Sequence, residues 1–139
     1  MELNFNKIIR LKKIAIEKTE LLNEEKNLGK PVLTNRNLIP QIYDVFKKTI
    51  GEEYASVQNR KKFIFIILYL YSPYTLSSNK RMPSGLRDEI ANVVNINNKS
   101  TISSNYSDII FLYQNYSDFR EDVLRILNNV STKLNEEVP

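Results

Sequence analysis

The chain has 139 residues, a net charge of +4 at pH 7, no cysteine and no histidine. That length buries a core without help from disulfides or a metal, and the two missing residue types exclude Cys/His zinc sites, Ser–His or Cys–His nucleophile pairs and any disulfide framework. The three glycines, Gly29, Gly51 and Gly85, lie far apart, so no phosphate-cradling or dinucleotide loop can be built, no cofactor is expected, and a binding protein is favoured over an enzyme.

Residues 2–28 read as one helix. Phe5, Ile8, Ile9, Leu11, Ile14, Ala15, Leu21, Leu22 and Leu28 recur at three- and four-residue steps among charges. Gly29 is a C-cap candidate and Pro31 a stop signal. The row Ile8, Leu11, Ala15, Leu22 is compatible with a short coiled coil, interrupted by Lys18 and Glu25. The helix therefore either packs on its own domain or makes a homo-oligomer through residues 2–28. Residues 1–30 form an N-terminal helical segment and residues 31–139 a helical domain. After Pro31, Asn37 or Thr34 can cap a helix that runs to Ile50, with Pro40 in its first turn and Gly51 at its end. Residues 57–71 include nine consecutive apolar residues, 63–71. Their composition suits a strand, but no second strand exists to pair with it, so a central buried helix ended at Ser72-Pro73 is expected. Residues 72–85 read as a long loop. Helices follow over 86–94, 100–114 and 117–134. The fold class is all-α, with five or six helices.

Nine apolar residues fall short of the roughly 20 that span a bilayer, and the charged first 20 residues offer no signal-peptide core. No membrane association and a cytoplasmic location are expected. The chain holds 17 Asn, 13 Lys and 16 Ile. Their codons are AT-rich, as in a low-GC phage or mobile element.

The segment from Leu86 to Ser103 resembles the helix-turn-helix of bacterial and phage regulators and sigma factors. Ile90-Ala91 supplies a branched and a small residue for a close helix crossing. Val94 closes that helix, Ile96 plugs the turn, Ser100-Thr101 caps the next helix, and Ile102 is its inward anchor. The turn glycine of the family is replaced by Asn95, which tolerates the left-handed conformation better than most residues. The resemblance implies a tri-helical core of 57–71, 86–94 and 100–114, and binding of double-stranded DNA by a transcriptional regulator. Candidate base-edge readers are Lys99, Ser100, Thr101, Ser103, Ser104 and Asn105.

Charge is unevenly placed. Residues 86–110 sum to −1, while residues 31–85 sum to +5. Phosphate contacts are therefore expected from Arg60, Lys61, Lys62, Lys80 and Arg81, with Lys61, Lys62, Lys80 and Arg81 largely exposed on the same side as the start of the 100–114 helix. The alternative is a phage structural, assembly or adaptor protein that uses the same helices on proteins. Tyr106, Phe111, Tyr113, Tyr116 and Phe119 cluster near the C-terminus as core, interface or single-strand stacking residues. Asp118, Glu121 and Asp122 share one helical turn, which the helix dipole explains without a metal.

Overall fold

The computed structural model describes residues 1, 3–78, 81–96, 101–102 and 108–137. Among these residues there are seven α-helices, one 3-10 turn and no strand. The fold is all-α, with one helix more than the upper end of the expected range. The chain divides into two compact units, Met1–Lys30 and Pro31–Pro139.

The first unit is helix α1, Phe5–Leu28. The Asn4 side chain caps it, accepting from the N–H groups of Asn6 at 3.1 Å and Lys7 at 3.3 Å. Gly29 is the C-cap residue, but at a φ of −85° it uses no glycine-only conformation. No residue of α1 is buried, and Phe5, Ile8, Ile9, Leu11, Ile16, Leu21, Leu22 and Leu28 are all more than half exposed.

The second unit begins with a 3-10 turn, Arg36–Leu38. Asn35, rather than Asn37 or Thr34, caps it by accepting from the Asn37 N–H at 3.0 Å. Helix α2 spans Ile39–Ile50, with Pro40 in its first turn, where a missing N–H costs nothing. Gly51, at a φ of +93°, ends it. Ser56 caps α3, Val57–Tyr71, which buries Phe63, Ile64, Phe65, Ile66, Ile67, Leu68, Leu70 and Tyr71. The expected central helix is thus observed with the expected bounds. Its end is tied down from afar: the N–H groups of Val32 and Leu33 both donate to the Leu70 carbonyl at 2.9 Å. That carbonyl belongs to the last turn, which has no partner within the helix.

The expected loop over 72–85 is half helix: α4 spans Pro73–Ser78. Proline bars the helix before it but is favoured as a first helical residue, so Pro73 ends α3 and starts α4. Helix α5 spans Leu86–Val93, α6 Ile109–Asn115 and α7 Ser117–Glu137. The single helix expected over 100–114 is not continuous. Thr101 and Ile102 are helical, but α6 starts afresh after Asp108.

The core extends beyond the three expected helices. Helix α3 packs against α2, α4, α6 and α7, α7 also packs on α2, and α5 docks on α2. The four-three-four spacing of Phe119, Val123, Ile126 and Val130 gives α7 a buried stripe that meets Ile39, Ile42 and Phe46 of α2 within the core. Among the described residues no helix is long and apolar enough to cross a membrane.

Candidate nucleic-acid interface

The start of α5 is built on Arg36. Its Nη1 donates to the Ser84 carbonyl at 2.6 Å and lies 3.6 Å from the Glu89 carboxylate. Gly85 sits at a φ of +82°, a conformation glycine adopts at no steric cost. Asp88 and Glu89 fall in the first turn, where the helix dipole favours them. Beneath this corner the Tyr71 hydroxyl donates to the Asn35 carbonyl at 2.8 Å. Burial pushes the Tyr71 phenol up to about 12; the Glu89 charge adds to the rise and Arg36 opposes it.

Leu86, Ile90 and Ala91 form the buried face of α5. The helix ends in a Schellman motif. Asn95 takes the left-handed conformation expected of it, with φ at 59°. Its N–H reaches the Asn92 carbonyl at 3.3 Å, and the Ile96 N–H reaches the Ala91 carbonyl at 2.9 Å. Val94 and Ile96 pack against the core, and Ile102 is fully buried within it. The five apolar positions that carry the sequence pattern, Ile90, Ala91, Val94, Ile96 and Ile102, thus all face one core.

Of the candidate base-edge readers, Thr101 is half-buried. Lys99, Ser100, Ser103, Ser104 and Asn105 lie outside the described residues, as does Lys80 among the phosphate candidates.

The expectation that Lys61 and Lys62 are exposed is overturned. The Lys61 ammonium pairs with Asp108 at 3.0 Å, and its side chain is 16% exposed. The Lys62 ammonium pairs with Asp122 at 2.6 Å, and its side chain is 13% exposed. Lys62 also donates to the Asn59 side-chain carbonyl at 3.0 Å. Both amines are therefore committed to carboxylates of the same fold. Lys61 lies beside Asp108, the residue that precedes α6, rather than at the expected helix start near residue 100. Arg60 is half-buried and borders a small cavity with Tyr43, Phe46, Tyr54 and Val94.

Arg81 is exposed, as expected. With Arg87, also exposed, it lines an open cavity of about 400 Å³ at the start of α5, together with residues 82–85 and Asp88. Arg87 was not among the phosphate candidates. Its signal is a cation in the first turn of a helix, where the dipole disfavours positive charge.

The aromatic cluster splits. Tyr113 stacks on Phe65 at 4.7 Å and Phe119 meets the same ring edge-on at 6.2 Å, so both serve packing. Phe111 and Tyr116 are 58% and 55% exposed and contact each other edge-to-face at 6.3 Å. Tyr106 lies outside the described residues. Asp122 is held by Lys62 and, at 3.0 Å, by Arg125. No group of three acidic side chains suited to a metal occurs among the described residues. Comparison of the chain with protein-family models, with curated proteins and with solved structures gives no match.

Proposed function

We propose that the unit Pro31–Pro139 is a non-enzymatic double-stranded DNA-binding domain, of the kind that serves transcriptional regulators of phages and mobile elements. The observation that carries this reading is the left-handed Asn95 turn between the buried Ile90-Ala91 pair and the buried Ile102. That combination fixes a helix, a tight turn and an inward anchor in the order a helix-turn-helix needs. Base edges are read from Lys99, which suits guanine, from Asn105, which suits adenine, and from Ser100, Thr101, Ser103 and Ser104, which suit either kind of group. Phosphate contact falls to Arg81 and Arg87 around the start of α5, where backbone N–H groups also favour an anion, and to Lys80. Lys61 and Lys62 brace α6 and α7 instead. Residues 2–28 supply self-association, which gives a weak recognition element a second half-site.

The test is binding to a mixed-sequence duplex over a range of salt. Affinity falls steeply with salt, and Arg81→Ala lowers the logarithmic slope by about 0.9, one phosphate contact. Lys62→Ala leaves the slope unchanged and lowers stability. A slope near zero for the unaltered protein overturns the DNA reading in favour of an adaptor or assembly protein. Two observations favour that second reading: the ion-paired Lys61 and Lys62, and the exposed Phe111–Tyr116 pair.

A further inference from the structure

Helix α1 divides by charge. Between residues 3 and 16 it carries Lys7, Arg10, Lys12 and Lys13 and no acid; from residue 17 to 28 four glutamates outweigh two lysines. Its heptad row runs Ile8, Leu11, Ala15, Lys18, Leu22, Glu25, in alternating steps of three and four, and none of these side chains is buried. An isolated helix of 24 residues with so much uncovered Ile and Leu is marginal in water, so a partner must complete it.

We propose that α1 pairs antiparallel with α1 of a second copy of the chain. This rests on the reading of residues 2–28 as a self-association helix and fixes how it associates. A parallel pair brings the four cations of one copy beside those of the other. It also sets Lys18 against Lys18 and Glu25 against Glu25 within the seam, where like charges are costly. The antiparallel pair lays the basic half along the acidic half. In the register that places Leu11 opposite Leu22 of the second copy, Ala15 falls opposite Lys18 and Ile8 opposite Glu25. The small Ala15 leaves room for the lysine stem to cross the seam with its ammonium in water. Two-fold symmetry repeats each contact. The two charges that interrupt the row are thus the feature that selects its orientation.

The chain has no cysteine, so introduced cysteines report on the seam without background. The full-length protein is first weighed in solution, where a mass of at least two chains is expected. Leu11→Cys and Leu22→Cys chains are then oxidised separately and mixed. In the antiparallel register, like positions are about 16 Å apart along the axis, beyond disulfide reach. Cross-linked product is therefore expected only in the mixture. Ile8→Cys with Glu25→Cys repeats the test in the same register while keeping both leucines. A monomeric full-length protein overturns self-association itself. A dimer in which Leu11→Cys cross-links alone, or in which neither mixture cross-links, overturns the antiparallel arrangement and leaves self-association standing.

Discussion

Helices α1 and α3 both combine basic residues with a wealth of Ile, Leu and Phe, yet none of α1 is buried while eight of the fifteen residues of α3 are. The difference lies in how the apolar residues are distributed. From residue 63 to 71 every position of α3 is apolar, only Tyr69 of that segment is exposed, and α2, α4, α6 and α7 pack around it. In α1 charges alternate with apolar residues around the whole circumference, and a broken row remains that something outside the helix must cover. Apolar content alone does not set burial; an all-round apolar helix becomes a centre, whereas a striped one becomes a face.

The sharpest way to break this contrast is Phe63→Ala. Phe63 is fully buried and meets Tyr43 at 4.8 Å and Phe46 at 5.3 Å. The loss should be about 3–5 kcal/mol in denaturant titration; a loss below about 1 kcal/mol would remove α3 from the centre. The other end of α3 gives a pH effect. The Tyr71 phenol is held up to about 12 in the fold, against about 10 unfolded. Its contribution is complete below pH 10 and is lost as pH rises from 10 to 12. Against Tyr71→Phe, which does not titrate, the unaltered protein should lose about 2–3 kcal/mol over that window. A constant difference would show that the phenol is free to ionise. Ala91→Leu, on the buried face of α5, should cost about 1–3 kcal/mol by overpacking, measured by the shift in denaturation midpoint. Starting the chain at Lys30 should have the smallest effect on folding. The midpoint of the remaining unit should move by less than about 0.5 kcal/mol while the mass in solution falls to a monomer; unfolding of the shortened chain would make α1 part of the core.

The sequence made α3 legible down to its end residues, because a nine-residue apolar run without a partner strand has one solution and Ser72-Pro73 closes it. It also made legible the turn at Asn95, since few residues other than glycine accept that conformation. It hid α4, because a proline marks a helix start and a helix stop equally well. It hid the break before α6, because 100–114 shows unbroken helical spacing whereas the backbone at Asp108 is not helical. The candidate site fared worst where it depended on distant partners. Lys61 and Lys62 read as a basic patch beside a recognition helix, but Asp108 and Asp122, 47 and 60 residues further on, neutralise them. No local pattern specifies an ion pair of that separation.

The packing of α7 on α2 has a consequence for how the protein is made. The two helices meet across nearly the whole length of the second unit, with the Asn129 side chain donating to the Thr49 hydroxyl 80 residues away. During vectorial synthesis α2 and α3 leave the ribosome long before α7 exists to cover them. The nascent chain then presents the apolar run of α3 without the cover of α7, a state open to aggregation and to chaperones. Folding of the domain is therefore paced by the arrival of α7 rather than by the formation of α2 and α3.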